Sequence, residues 1–280
     1  TSAPAALKVI NEEISAAGKR LKNPARNTLI STLSSLSGYS KFLEETHERV
    51  ATFKTFANPT QPVKVLDHFV ETNLEHSRSK NINQEELVNL AAKGSKLIIS
   101  ATAGFGKSML MRYIALCMFE NTQGKIPIFV ELRHLNRITK PDLLDYIHLT
   151  YKQKSEIQMS AFSKALDSGI FCFILDGFDE LNHEIRPYIE DQILNTSRLY
   201  PKNSFVISGR PDDRFDSWRS FKTYKILPMA KKHVIDLIKK LNHDTGIKRR
   251  FISKINQGLY DSHQSFLSTP LLAILIAFNL

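Results

Sequence analysis

The sequence predicts an α/β fold: a parallel five-stranded sheet flanked by helices, with an all-helical region before it and a further, incomplete helical domain after it. Three observations carry that expectation. Short apolar runs alternate with amphipathic stretches between residues 96 and 227, and parallel strands need crossover connections of that kind. One run, Ile170–Leu175 (IFCFIL), is apolar throughout, as suits a strand covered on both faces. From residue 96 a strand run, a glycine-containing turn and a helical run follow one another directly.

The elements are expected in this order. Leu7, Ile10 and Ile14, then Leu29, Leu33 and Leu36, then Phe42, Val50 and Phe53 fall at helical spacing, so residues 1–57 read as a helical N-terminal region. Ala57–Pro62 (ANPTQP) holds two prolines within four residues and reads as a linker. It opens a lead-in over residues 58–95, with an amphipathic piece at Val63–Leu74 and a polar stretch at Glu75–Glu86. Residues 96–227 then form the α/β domain. Its strands are expected at Leu97–Ile99, Ile126–Leu132, Ile170–Leu175, Phe205–Ser208 and Tyr224–Leu227. A helix is expected at Met109–Phe119 and another near Glu184–Arg198. Two more lie between, one entered at Pro141 and one through a capping box of Ser155 and Gln158. After Pro228 the pattern is helical, giving residues 228–280 as a helical domain, and no repeat appears.

Composition narrows the function classes. Hydrophobic residues are 42% and charged residues 24%, which excludes collagen-like, disulfide-scaffold and wholly disordered chains. Cys117 and Cys172 sit in apolar runs and read as buried reduced thiols of a cytoplasmic protein. No apolar stretch reaches the ~18 residues that span a bilayer. The chain starts without Met and ends on LLAILIAFNL, so it reads as a piece of a longer protein with further C-terminal domains. Lys and Arg number 38 against 28 Asp and Glu, a net charge of +10. The surplus is concentrated in residues 201–260, with 14 basic against 5 acidic residues. Lys231, Lys232, Lys239, Lys240, Lys248, Arg249, Arg250 and Lys254 belong to it. A solvated helical surface is the ordinary reading of such a surplus, and a face for nucleic acid or an acidic partner is the functional one.

Three segments carry chemistry. Ala101-Thr102-Ala103-Gly104-Phe105-Gly106-Lys107-Ser108 fits the phosphate-binding loop G-x-x-x-x-G-K-[ST], with Ala101 in place of the first glycine. Gly104 and Gly106 let backbone N–H groups wrap phosphate oxygens, Lys107 neutralises the β- and γ-phosphates, and Ser108 ligates Mg²⁺. Lys107 is expected to face solvent when no phosphate is present. Position 101 needs a small residue more than it needs positive φ. The second segment, FCFILDGFDE, is an apolar strand ending in Asp176, 69 residues after the loop lysine. Asp176 is placed to hold the Mg²⁺, and Asp179 or Glu180 to orient or deprotonate an attacking water. The third, Phe205–Pro211, delivers Arg210 to the same sheet edge, where a guanidinium can read the γ-phosphate.

Together these segments resemble the NACHT domains of the STAND class of P-loop ATPases, over about residues 60–280. ATAGFGKS, FILDGFDEL and VISGRP carry the resemblance, with IPIFVELRHLN and Ser268-Thr269-Pro270-Leu271-Leu272 in support. It implies an ASCE-type sheet in which the Arg210 strand lies between the loop strand and the Asp176 strand. It also implies that Pro270 packs near the adenine of a bound ATP or ADP. Gly209 departs from the family's usual serine, and the winged-helix domain whose histidine touches the β-phosphate is absent. By the same resemblance the protein is a nucleotide switch that self-associates on activation, under missing C-terminal sensor domains, in a defence or signalling pathway. Chains of this look occur in bacterial anti-phage defence and in animal innate immunity, and the bacterial kind is expected because no death-fold pattern precedes the nucleotide domain. An AAA-like ATPase or nucleic-acid-stimulated motor is the rival reading, and a small-molecule kinase the weakest.

Overall fold

The structure, a computed structural model, describes residues 46–55, 58–76, 81–120, 125–155 and 159–278. The helices expected before residue 46 lie outside the described residues. Residues 46–51 are helical, and the chain then turns into strand β1 (Thr52–Thr55), paired antiparallel with β2 (Asn58–Lys64). The helical reading of Phe53 and the linker reading of 57–62 are therefore both corrected. Thr and Phe favour extended backbone. Prolines lack the N–H for a central ladder, but a two-stranded hairpin has only edges. After α1 (Val65–His68) come β3 (Asn73–His76) and β4 (Ile82–Asn83). The amphipathic piece and the polar stretch thus contain strands that were not expected. They are too short to display a period, and tertiary pairing of Leu74 with Ile226 holds them in place. Helix α2 (Gln84–Ala92) starts at a capping box formed by Asn83 and Glu86.

The five expected parallel strands all form. They are β5 (Lys96–Ser100), β6 (Ile126–Glu131), β7 (Phe171–Asp176), β8 (Ser204–Gly209) and β9 (Lys222–Ile226). The main sheet has seven strands, in the order β4-β3-β9-β5-β8-β7-β6, because β3 and β4 add antiparallel to the β9 edge. β8 lies between β5 and β7, the order that the resemblance implies. Register places Ser100 opposite Gly209 and Asp176 opposite Glu131, so the C-terminal ends of four strands meet at one edge.

Helix α3 (Lys107–Glu120) follows β5, and α4 (Leu143–Ser155) and α5 (Met159–Ser168) separate β6 from β7. Ser155 is the last residue of α4, not a cap for the next helix, and Gln158 lies outside the described residues. Asp142, one residue after Pro141, accepts from Asp145 N at 2.8 Å at the start of α4. Helix α6 (Arg186–Leu199) precedes β8. An aromatic chain crosses the sheet core, with Phe171–Phe173 centroids 5.8 Å apart and Phe173–Phe205 5.0 Å apart. The C-terminal helices α7 (Lys231–Lys240), α8 (Thr245–Lys254) and α9 (Pro270–Phe278) bury a second apolar cluster that includes Val234, Ile238, Phe251 and Ala273. Cys172 is buried and Cys117 only half-buried, and both are free thiols. No described helix is long and apolar enough to cross a membrane.

Asn203 ties the sheet to its helices. Fully buried, its amide accepts from Phe171 N at 3.0 Å and donates to Leu166 O at 2.8 Å, joining the start of β7 to α5. Asn203→Ala removes the acceptor from Phe171 N and one of the two donors to Leu166 O, and should cost about 2 kcal/mol in guanidinium unfolding. A loss below about 0.5 kcal/mol, the usual range of a neutral surface change, would show that the amide is dispensable.

Candidate functional site

The loop between β5 and α3 has the shape that its glycines permit. Gly104 and Gly106 have φ of +83° and +84°, the left-handed region that side chains avoid. Ala101 is buried, and Lys140 alone among the described non-glycine residues has positive φ, so the alanine supplies small size without strain. Its N–H donates to Gly209 O at 3.2 Å, fixing the loop to the end of β8. Thr102, Ala103 and Ser108 are exposed, and Phe105 packs partly on the core. Lys107 does not face solvent. Its Nζ donates to Ala101 O at 2.8 Å and Thr102 O at 3.3 Å. Half-burial lowers its pKa from the usual lysine value, and the loop carbonyls are the acceptors within its reach.

At the end of β7, Asp176 is buried and its carboxyl is pushed above the usual carboxylate range by desolvation. Hydrogen bonds from Ser208 and Ser108 act in the opposite direction. Ser208 Oγ donates to Asp176 Oδ1 at 2.5 Å and accepts from Gly177 N at 2.8 Å. Gly177, at φ +81°, then turns the chain into a short 3-10 turn, Phe178–Glu180. That turn is clamped from two sides. Arg186 Nη2 donates to Asp179 O at 3.0 Å and Leu181 O at 2.7 Å. Asn136 donates to Glu180 O at 2.9 Å and accepts from Asn182 N at 2.8 Å.

The two acids of the turn have different surroundings. Asp179 Oδ2 accepts from Arg210 Nε at 2.9 Å, while its buried Oδ1 has no hydrogen-bond partner. Glu180 is pushed up by burial and lies 3.8 Å from Arg133. Gly209 has a local cause: a Cβ there would stand 2.9 Å from the Phe215 ring, which packs with Phe178 and Trp218 behind the site. Arg210 is nevertheless delivered to the edge where it was expected.

Two cavities meet at the loop. One, of ≈ 320 Å³, is mainly apolar and is lined by Phe69, Gly104, Phe105, Met229, Pro270 and Leu271, among others. The other, of ≈ 400 Å³, is polar and is lined by Ser108, Arg112, Glu131, Arg133, Asp176 and Glu180 with Phe53, Lys54 and Met109. Phe53, Lys54 and Met109 line both. Pro270 therefore sits beside the loop, and Leu271 N donates to Gly104 O at 3.2 Å.

With this geometry in place, comparison with known protein families matches residues 95–245, more than half of the chain, to the NACHT domain. The chain belongs to the NACHT family. That membership makes it a P-loop NTPase of the STAND type, a nucleotide-binding protein. No curated protein matches the chain.

Within this NACHT chain, several participants were missed by sequence reading, Arg133 and Arg186 among them. Ser208 is a polar residue in an apolar strand, a signal that was present but not used. Arg112 lies four residues after Ser108, on the same helix face. Glu131 and Asn136 lie in the IPIFVELRHLN block, and only strand register shows that Glu131 opposes Asp176. The basic surplus is partly committed within the fold. Lys240 Nζ donates to Phe69 O at 2.5 Å, Lys248 Nζ donates to Leu241 O at 3.0 Å, and Lys231 pairs with Asp261 at 3.8 Å.

Asp176 gives a pH-dependent expectation. The folded carboxyl keeps its proton to higher pH than the unfolded one, so its ionisation costs stability. The cost is absent below the unfolded value of about 4 and grows as pH rises from there through the raised folded value. Asp176→Asn should therefore raise the Tm of nucleotide-free protein at pH 7, with the gain shrinking as pH falls through the carboxylate range. A lower Tm at pH 7 would show that the ionised group stabilises the fold.

Proposed function

We propose that this NACHT chain is an ATP/ADP-operated switch in which nucleotide exchange or slow hydrolysis controls self-association. The supporting observation is the direct bond between the phosphate loop and the C-terminal helices at Gly104 O and Leu271 N. Through this bond a rearrangement of the loop on nucleotide exchange would reach those helices.

The residues fit the ligand. The left-handed glycines make a backbone cradle, and Ser108 with Asp176 offers the hard oxygen donors that Mg²⁺ prefers. The cradle spans Ala101, Thr102, Ala103, Gly104, Phe105, Gly106, Lys107 and Ser108. The apolar cavity beside Pro270 suits a planar base. The nucleotide supplies a phosphoanhydride bond and its charge, and Mg²⁺ supplies countercharge. Lys107 leaves the loop carbonyls to meet phosphate. Glu180, with its raised pKa and its position in the polar cavity, is the group suited to accept a proton at its carboxylate from water. Asp179 holds Arg210 at the phosphate end, its Oδ2 accepting from Arg210 Nε. We further propose, as a reading that the family match is compatible with, a cytoplasmic protein regulated by sensor domains and acting in a defence or signalling pathway.

Lys107→Ala should abolish Mg-ATP binding without unfolding the chain. Ligand at ~100 times its dissociation constant stabilises a protein by about 2.7 kcal/mol, and the thermal shift this produces in wild type should vanish in the variant. In the same assay Glu180→Gln should keep the shift while phosphate release falls. An equal ATP-induced shift in Lys107→Ala, or unchanged hydrolysis in Glu180→Gln, would refute the corresponding role.

A further inference from the structure

We propose that Lys54, on the hairpin that precedes the α/β domain, is a phosphate-contacting residue of the nucleotide site. Nucleotide then anchors this hairpin to the loop. The inference rests on the nucleotide reading given above and extends the site to a segment outside the matched family domain.

Lys54 lines both the apolar cavity and the polar one, together with Phe53 and Met109, and it is the charged member of those three. The boundary between the two cavities is where a chain joining a base to metal-bound oxygens must pass. Three cations line the polar cavity. Arg112 is committed to Glu131 at 3.4 Å and to the carbonyls of Arg49 and Thr52 at 2.6 and 3.3 Å. Arg133 is committed to Glu131 at 2.8 Å and faces Glu180. Lys54 is exposed and makes no hydrogen bond or ion pair with a described residue. It is therefore the available cation.

Its placement is held by the phosphate-loop helix itself. Arg112 lies one turn after Ser108 on α3, and its guanidinium stacks over Phe129 at 5.4 Å while gripping Thr52 O. Arg49 donates to Phe129 O at 2.8 Å, fixing the residues just before the hairpin to β6. β1 has a register irregularity between Phe53 and Thr55, and the adjacent Phe53 and Lys54 both line the two cavities. The bond at Thr52 O ties the backbone two residues before Lys54 to the helix that carries Ser108. An ammonium held there with no carboxylate partner among the described residues gains a charge-assisted hydrogen bond when phosphate arrives.

The test is fluorescent mant-ADP binding to the full chain with Mg²⁺, for wild type, Lys54→Ala, Lys54→Arg, Lys64→Ala and Lys107→Ala. Lys54→Ala should weaken binding about tenfold, the low end for a hydrogen bond to a charged group. Lys54→Arg should stay within about threefold of wild type, since it keeps the charge and a donor. Lys64→Ala removes the same charge from the same hairpin outside both cavities, and should bind as wild type does. Amide exchange over residues 52–64 should slow on adding ADP in wild type and not in Lys54→Ala. Unchanged binding in Lys54→Ala beside lost binding in Lys107→Ala overturns this proposal alone. Equal weakening in Lys64→Ala also overturns it, as a general field effect. Failure of wild type to bind overturns the nucleotide reading and this proposal with it.

Discussion

A carboxyl group buried at the edge of a sheet must be held by donors or lose its charge, and the Asp176–Ser208 hydrogen bond meets that need. The same hydroxyl accepts from Gly177, so one side chain fixes both the acid and the turn that follows it. It can do so only because β8 lies beside β7 in register. The end of β8 in turn receives Ala101 N, so the phosphate loop is located by the strand that holds the acid. Strand order, loop position and acid position are therefore one constraint. Asn136 and Arg186 extend it to Asp179 and Glu180 by gripping backbone on either side of the turn.

The site is enclosed by segments from both ends of the described chain. Leu271, from the C-terminal helices, bonds the loop at Gly104, and Arg112 ties the N-terminal hairpin to the loop's own helix. Lys240 joins the two flanks, since its ammonium reaches Phe69 O in the wall of the apolar cavity. Both flanks of the described chain thus border the loop, the arrangement on which the proposed switch rests.

The central strands were legible because each is an apolar run bounded by turn residues, and β7 is buried along its whole length. Asp176, Lys107 and Arg210 were legible because strand ends and a glycine loop place them by chain position alone. The hairpin was not legible: Phe53 happens to fall at helical spacing after Val50, and prolines in the partner strand resemble a linker until the pairing is seen. β3 and β4 are four and two residues long, too short for a period to register. Ser208, Glu131 and Asn136 depend on what lies across the sheet, which a linear pattern does not contain. Lys107 is expected in solvent from sequence only because the carbonyls of Ala101 and Thr102 go uncounted as acceptors. Gly209, a departure from the family's usual serine, makes room for the Phe215 ring.

The central claim is that the loop, the acid edge and the C-terminal helices form one nucleotide-operated unit. The most direct measurement is to denature the purified protein and identify the nucleotide released. The account predicts stoichiometric ADP, with turnover well below ~1 s⁻¹ and indifferent to added DNA or RNA. Nucleotide-free protein with rapid, nucleic-acid-stimulated ATP hydrolysis would contradict it.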